Sequence, residues 1–354
     1  MSQSRLSGSL AALLHIVLLT LAMVLTMVIA PTGAEAAEPT RLQAEDAVGA
    51  ALAWSGVTFA DGAGSEVLLA RDDVFADALA SGGAQGQLGA PLLLTDSEAL
   101  DPRVVEELQR LGAGRVTLLG GLDALSAGVE AEVTALGYDT DRLQGLTRLE
   151  TAIDIAETLY PNATTAIIAR AFGSDGDDTR AFADSLAAGA FSVATATPLL
   201  LTEGDSLSSA TRAHLAASTV ETVTVAGGTD AVSQAVVADL EGLGLEVTRV
   251  AGANRFETAV ALAQALGIPD ASQAAAVVLI DGTRPDAWAS GFPAALQAVS
   301  GSTAVVLADG DTLPPATRSF LEPAQGSTPL LCGPFVTATA CDEASQALDL
   351  IPAT

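Results

Sequence analysis

Lysine is absent from this chain of 354 residues. All 15 cationic side chains are arginines, against 43 aspartates and glutamates, and the formal net charge is −28. A surface of this sign repels nucleic acid, which excludes the basic footprint of a DNA- or RNA-binding protein. A Walker phosphate-binding loop is excluded as well, because that loop requires a lysine. Two explanations of the composition stay open: adaptation to high salt, which screens self-repulsion, and GC-rich codon usage.

Histidine and cysteine are scarce, which limits catalytic and metal chemistry. Only His214 lies outside the N-terminal apolar segment, and it recurs nowhere else, so neither a Ser-His-Asp triad nor a histidine metal site is favoured. No catalytic residue is predicted. Cys332 and Cys341 are the two cysteines of the chain. In an exported protein, such a pair favours a disulfide over two free thiols.

The N-terminus is typical of an export signal. Residues 1–36 combine a thin positive region at Arg5, an almost wholly apolar run over residues 10–30, and an Ala-Glu-Ala cleavage pattern at 34–36. The apolar run is also long enough to span a bilayer, so an uncleaved anchor is the alternative. We expect a protein of the cell wall or cell surface that is free of the membrane once the signal is cleaved.

Four motifs recur 107 residues apart. They are Phe-Ala-Asp at 75 and 182, Pro-Leu-Leu-Leu-Thr at 91 and 198, Gly-Gly at 120 and 227, and Arg-Xaa-Glu-Thr-Ala at 148 and 255. A weaker third copy begins at Asp286. The common register indicates a duplicated unit of small-domain size. The predicted units are residues 41–137, 142–244 and a degenerate 249–350.

Each unit alternates short apolar runs with amphipathic stretches. In the first unit, residues 67–70, 91–94 and 116–119 are typical of buried parallel strands, and a helical pattern follows each of them. Alternation of this kind implies right-handed crossovers. The predicted fold is therefore α/β, with open, mostly parallel sheets and helices on both faces.

Arg148 and Arg255 open a helix in successive units, where the helix dipole disfavours a cation by about 0.3–1 kcal/mol. The glutamate two residues after each arginine completes a capping box. A repeated placement against the dipole predicts a compensating partner for the cation. That partner is either a structural ion pair, with Asp77 or Asp184 of a neighbouring unit, or an anionic ligand.

Asp77, Asp184 and Asp286 begin the helix after the first strand of each unit, at the carboxyl end of the predicted sheet. Ligands bind at this edge in such folds, although helix N-termini also favour aspartate for local reasons. The Gly-Gly pairs predict a tight turn with positive φ, because they lack the spacing of a nucleotide loop. The acidic residues 173–178 lack EF-hand spacing, and we interpret them as a solvated loop.

The ordered, repeated motifs resemble those of the cell wall-binding repeat 2 family, whose members are surface proteins of Gram-positive bacteria. The resemblance spans residues 41–350. It implies three tandem Rossmann-like modules packed with pseudo-threefold symmetry and attached non-covalently to anionic wall polymer or peptidoglycan. It also implies attachment through a leucine-rich strand end, which here comprises Leu92, Leu93, Leu94, Leu199, Leu200 and Leu201. The first unit lacks the helix-opening arginine, and the third lacks the Gly-Gly turn.

We therefore expect a secreted, non-enzymatic wall-binding protein without a bound cofactor. A polymer bearing phosphates or carboxylates is repelled by a net charge of −28, so attachment requires local arginines or a bridging divalent cation such as Ca²⁺. The two repeated arginines serve the first route and the three helix-opening aspartates the second. The alternatives are a wall-modifying enzyme of the autolysin or amidase type and a structural surface-layer subunit.

Overall fold

The computed structural model describes residues 38–173 and 176–350. The predicted signal lies outside the described residues, as do Ser174 and Asp175 of the acidic segment. The strands are β1 (Thr40–Arg41), β2 (Glu66–Arg71), β3 (Leu92–Thr95), β4 (Arg115–Leu119), β5 (Asp139–Leu143), β6 (Thr165–Arg170), β7 (Leu199–Thr202), β8 (Thr222–Ala226), β9 (Glu246–Val250), β10 (Ala276–Asp281), β11 (Thr303–Ala308) and β12 (Leu330–Cys332).

Helices connect the strands. The α-helices are α1 (Ala47–Thr58), α2 (Ser81–Leu88), α3 (Pro102–Leu111), α4 (Ala127–Ala135), α5 (Arg148–Leu159), α6 (Thr179–Phe182), α7 (Ser185–Thr195), α8 (Ser209–Ala217), α9 (Gln234–Gly242), α10 (Arg255–Ala265), α11 (Trp288–Ala294), α12 (Pro315–Leu321) and α13 (Ala338–Ala347). Short 3-10 helices span Asp77–Ala80, Ala271–Gln273, Ala295–Ser300 and Glu322–Ala324. No helix in the described part of the chain is both long and apolar enough to cross a bilayer.

The strands form three four-stranded sheets, and every pairing within them is parallel. The strand orders are β3-β2-β4-β5 in module 1, β7-β6-β8-β9 in module 2 and β11-β10-β12-β1 in module 3. Neighbouring parallel strands cannot be joined by a tight hairpin, so the alternation of strand and helix in the sequence requires this topology. The predicted parallel α/β modules are confirmed.

Module 3 takes its last strand from the opposite end of the described chain. Thr40 and Arg41 pair with Leu331 and Cys332, and in the next helix the indole Nε1 of Trp54 donates to Ser290 Oγ of α11 at 3.1 Å. In modules 1 and 2 the equivalent strands, β5 and β9, follow their own sheets directly in the chain. The sheets are therefore grouped differently from the repeat units, and the repeat boundary at residue 142 runs through β5.

The modules pack as a ring through equivalent helices. Helix α2 lies against α7, and α7 lies against the 3-10 segment that continues α11. Each of these helices also contacts the first helix of the following module: α2 contacts α5, α7 contacts α10, and α11 contacts α1. Because the last of these contacts returns to the first module, the ring is closed, and the expected pseudo-threefold arrangement is confirmed.

Small residues allow the central helices to approach closely. A Cβ atom at Gly82 of α2 would lie 2.5 Å from the carbonyl oxygen of Gly189 in α7. One hydrophobic core fills the centre of the ring and includes buried residues of all three modules, such as Leu79, Phe182 and Phe292. Each sheet also has a separate core on its outer face. Both faces of each sheet are therefore buried, as expected for parallel strands.

The predicted disulfide is confirmed. Cys332 in β12 bonds to Cys341 in α13, with their Cα atoms 6.0 Å apart. Cys332 is also the partner of Arg41 in the strand pair that closes module 3. The covalent link therefore holds α13 against the sheet where the N-terminal strand joins it.

Candidate functional site

Modules 1 and 2 each carry a cleft at the carboxyl end of the sheet, the edge at which ligands bind in α/β folds. Cleft 1 has a volume of about 760 Å³ and cleft 2 of about 330 Å³. Cleft 1 is lined by Arg71, Ala76, Asp77, Gly121, Leu122, Asp123, Ala124, Gln144, Gly145, Leu146, Thr147, Arg148 and Phe172. Cleft 2 is lined by Arg170, Arg180, Ala183, Asp184, Gly228, Thr229, Asp230, Ala231, Gly252, Ala253, Asn254, Arg255 and Thr258.

The Gly-Gly turns form one wall of both clefts and have the predicted backbone. The φ angles of Gly120 and Gly227 are +95° and +109°. A Cβ atom at Gly120 would lie 2.5 Å from Asp77 Oδ2, and one at Gly227 would lie 2.6 Å from Asp184 Oδ2. Glycine is therefore required twice over, by the left-handed backbone conformation and by the packed carboxylate. The prediction of a turn with positive φ is confirmed.

Asp77 and Asp184 hold the helix of the next repeat against this turn. The hydroxyl of Thr151 in α5 donates to Asp77 Oδ1 at 2.7 Å, and Thr258 in α10 makes the equivalent hydrogen bond to Asp184. Burial raises the pKa of the Asp184 carboxyl above its ordinary value, and the threonine and two neighbouring arginines only partly offset that effect. These two aspartates are thus engaged with the helix that begins the next repeat.

The equivalent aspartate of module 3, Asp286, has different partners. Asp286 makes two hydrogen bonds of 2.8 Å with Arg284, which lower the pKa of the Asp286 carboxyl. The Arg284 guanidinium lies 5.1 Å from the centroid of the Phe335 ring. The three predicted aspartates therefore lie in separate modules and do not converge on one point. In the described part of the chain, no cluster of histidine, cysteine and acidic side chains has the arrangement of a metal site.

Arg148 and Arg255 have equivalent partners, which explains their placement against the helix dipole. Arg148 Nη1 donates to the carbonyl oxygen of Ala171 at 2.8 Å, and Arg255 Nη1 donates to that of Gly282 at 2.5 Å. Each acceptor is the first residue after the strand that follows the arginine's own helix, β6 or β10. The repeated arginines therefore bind the backbone at the end of that strand, and neither partner is the direct carboxylate ion pair that the sequence suggested.

The two arginines differ in their remaining surroundings. The Arg148 guanidinium lies between the rings of Phe75 and Phe172, at 5.1 and 4.9 Å from their centroids, and burial lowers its pKa. Arg255 instead receives a polar neighbour, with both Nη atoms 3.2 Å from Thr179 Oγ1. Arg148 is therefore a packed side chain, whereas Arg255 faces a polar cleft.

Sequence reasoning missed a second pair of arginines. Arg71 and Arg170 end the first strands of modules 1 and 2, and each donates to a carbonyl oxygen of the Gly-Gly loop, at Asp123 and Asp230 respectively. The sequence signal for this pair is the Ala-Arg ending, after an apolar run, that β2 and β6 share. The two endings are not 107 residues apart, so the repeat register did not reveal them. Module 3 has Asp281 at this position.

Three arginines converge on cleft 2. Burial is the main reason that the pKa of Arg170 is lowered, and the charges of Arg180 and Arg255 lower it further. All three arginines line this cleft. Asp184 and Asp230 also line this cleft, and Asp177 and Asp205 lie near its arginines. In a chain with a net charge of −28, the lining of cleft 2 thus holds three arginines and two aspartates.

The predicted leucine contacts are contradicted by burial. The six leucines of β3 and β7 are at most 1% exposed and pack in the cores on the two faces of their sheets. Because a parallel strand covered on both faces presents no side chain to solvent, these leucines have no surface on which a polymer could lie. Leu92, Leu93, Leu94, Leu199, Leu200 and Leu201 are core residues of the folded modules.

The one described histidine lies outside both clefts. His214 Nδ1 is 3.0 Å from Glu157 Oε1, and the nearby hydroxyls of Ser218 and Thr219 donate to backbone carbonyl oxygens. A nucleophile activated by histidine would instead donate its proton to the imidazole. This cluster therefore lacks the hydrogen bond that a catalytic triad requires.

The chain is thus a modular α/β protein, a closed ring of three parallel-sheet modules of which two carry a cleft at the sheet edge. The family model for cell wall binding domain 2 (CWB2) matches residues 41–130 and 142–237, more than half of the chain, and the chain belongs to this family. It is thus a surface or secreted protein with cell-wall-binding modules.

Curated relatives include the N-acetylmuramoyl-L-alanine amidase LytC of Bacillus subtilis, 26% identical over 258 residues, which cover 73% of this chain and 48% of LytC. The amidase enhancer of the same organism is 24% identical over 254 residues, 72% of this chain and 32% of that protein. This chain thus spans less than half the length of either.

Two solved structures share the fold. Cwp8 from Clostridium difficile has a TM-score of 0.75 and 22% identity, covering 96% of this chain and 56% of its own. Cwp6 from the same organism has a TM-score of 0.76 and 17% identity, covering 91% and 50% respectively. These matches show the three-module architecture in other proteins.

Proposed function

We propose that this chain is a secreted, non-catalytic protein that attaches non-covalently to an anionic wall polymer through cleft 2. The convergence of Arg170, Arg180 and Arg255 carries the proposal. Salt screens the overall repulsion between two acidic bodies beyond about 8–10 Å, so a local cationic site suffices once the polymer is near. Guanidinium groups suit this role because their fork of donors matches a carboxylate or phosphate.

Several observations support a binding role without catalysis. The His214 cluster lacks an activated hydroxyl, as described above. The match to the LytC amidase covers less than half of that protein. Cleft 2 offers an anion the guanidinium groups of three arginines and the hydrogen-bond donors of threonine and asparagine side chains, against the two carboxylates of Asp184 and Asp230.

Binding to purified walls tests the proposal. Arg180→Gln removes one cation from cleft 2, and Arg212→Gln is the matched control, because Arg212 belongs to the same module and does not line cleft 2. We expect Arg180→Gln to bind walls several-fold more weakly in co-sedimentation and to show a weaker dependence on salt. The control should bind as the wild type does. Equal binding by the two variants would exclude cleft 2 as the anion site.

A chelator separates the arginine route from the cation route. Because Asp77, Asp184 and Asp286 are engaged in separate modules, we expect EDTA to leave wall binding unchanged. Loss of binding in EDTA with recovery in Ca²⁺ would instead support a bridging cation. Zymography against the same walls tests the absence of catalysis, since a cleared band from the purified chain would identify a hydrolase. Sedimentation without walls would indicate self-assembly into a surface layer.

A further inference from the structure

The rim of cleft 1 is apolar and exposed. Leu146 is 95% exposed, Leu122 59% and Phe172 39%, and all three line this cleft. Solvated apolar side chains of this size are ordinary singly, but a group around one cleft indicates a binding surface. The other exposed large apolar side chains among the described residues lie outside cleft 1: Val57, Leu136 and Val299.

The fold does not require these side chains. Leu122 follows the Gly-Gly turn, and the same position in module 2 is Thr229; Leu146 precedes the capped helix, and its counterpart is Ala253. Module 2 builds the same turn and the same helix start with these smaller residues. The leucines are therefore a property of cleft 1 alone, and a role in maintaining the backbone does not account for them.

The polar groups of cleft 1 are balanced in charge. The Arg71 guanidinium donates two hydrogen bonds to Asp73, at 2.5 and 2.7 Å. These bonds raise the pKa of Arg71, and their effect is larger than the opposite effect of burial. Asp123 and the Gln144 amide add acceptors and donors to the lining. Unlike cleft 2, this cleft offers paired donors and acceptors beside an apolar rim.

We propose that cleft 1 binds an uncharged sugar residue of the wall polymer. The sugar's flat C–H face lies against the exposed side chains of Leu122 and Leu146, and its hydroxyl groups meet the donors and acceptors of the floor. A pyranose ring has this combination of an apolar face and hydroxyl groups that both donate and accept. The inference rests on the proposed function and assigns the uncharged part of the same polymer to a second subsite.

The position of the two clefts supports a shared ligand. Arg170 at the end of β6 lines cleft 2, and Phe172, two residues later, lines cleft 1. The clefts therefore meet at one strand end, and a polymer held in one cleft lies next to the other. Binding at two linked subsites strengthens attachment beyond that of either subsite alone.

The experiment replaces two apolar side chains of the cleft 1 rim with serine. Leu122→Ser with Leu146→Ser is compared with Leu136→Ser with Val299→Ser, which changes two other exposed apolar side chains, 47% and 58% exposed, outside the cleft. Co-sedimentation with purified walls is measured at about 0.1 M and 1 M NaCl. We expect the cleft variant to bind about tenfold more weakly at both salt concentrations, because apolar contacts are not screened. Thermal unfolding should be unchanged, since both leucines are largely solvated.

The outcomes separate the two subsites. Binding by the cleft variant equal to that of its control would overturn the proposal for cleft 1. If the leucine variant weakens binding while Arg180→Gln does not, the anionic route through cleft 2 fails and the sugar subsite stands. If Arg180→Gln alone weakens binding, the sugar subsite in cleft 1 fails and the anionic route through cleft 2 stands. A loss caused by the leucine variant that appears only at low salt would also contradict an apolar contact.

Discussion

The closest approach between modules offers the sharpest test of the ring. A Cβ atom at Gly82 would lie 2.5 Å from the carbonyl oxygen and 2.7 Å from the Cα atom of Gly189. Both are backbone atoms, so no change of rotamer relieves the clash, and α2 must move away from α7. Overpacking of this kind costs about 1–3 kcal/mol, and the helix preference of alanine over glycine returns about 0.5–1 kcal/mol. We therefore expect Gly82→Ala to lower the free energy of unfolding by up to about 2.5 kcal/mol.

Gly56→Ala is the matched control for this change. Gly56 is an exposed residue within α1, and a Cβ atom there would meet nothing within 4 Å. The control should gain about 0.4–1 kcal/mol of stability, so the two substitutions are expected to have opposite signs. Thermal unfolding followed by circular dichroism measures both as shifts of a few degrees in Tm. If Gly82→Ala raises Tm as Gly56→Ala does, the central helices are not in the close contact described.

Two further predictions concern Asp184 and the disulfide. Because burial raises the pKa of Asp184 above its ordinary value of 3.8, ionisation of this carboxyl destabilises the fold as pH rises through that range. Asp184→Asn should therefore raise Tm at pH 7, and the gain should vanish below about pH 3.8. The same substitution should strengthen wall binding, because it removes a negative charge from cleft 2. A lower Tm of the variant at pH 7 would contradict the prediction for stability. Cys332→Ser with Cys341→Ser should lower the free energy of unfolding by up to about 2–3 kcal/mol, and wild type in reductant should unfold at the same temperature as this variant. Equal stability with and without the bond would refute that estimate.

Local chemistry was readable from the sequence. The glycine pairs specify a turn with positive φ at Gly120 and Gly227, and the structure has that backbone. The capping box at Thr147 and Glu150 is present at the start of α5. Alternation of apolar runs with amphipathic stretches likewise determined the parallel sheets. Each of these features depends on residues close together in the chain, where conformational preference and periodicity act directly.

The leucine-rich strands show a feature that the sequence alone did not predict correctly. Resemblance to the family suggested a contact surface at Leu92 to Leu94, but these side chains are buried on both faces of their sheet. An apolar strand end has the same sequence whether it is covered or exposed. Only the packing of helices against both faces decides between the two.

The sequence by itself determined the repeated α/β unit, its turns, its helix starts and its disulfide pair, because neighbouring residues specify each of these. The tertiary structure alone decided that β1 completes the sheet of module 3, and that Arg148 and Arg255 bind backbone carbonyls at the ends of β6 and β10. It also brought Arg170, Arg180 and Arg255 to one cleft. These contacts join residues that are separated in the chain, and their partners are selected by tertiary packing, which no local pattern encodes.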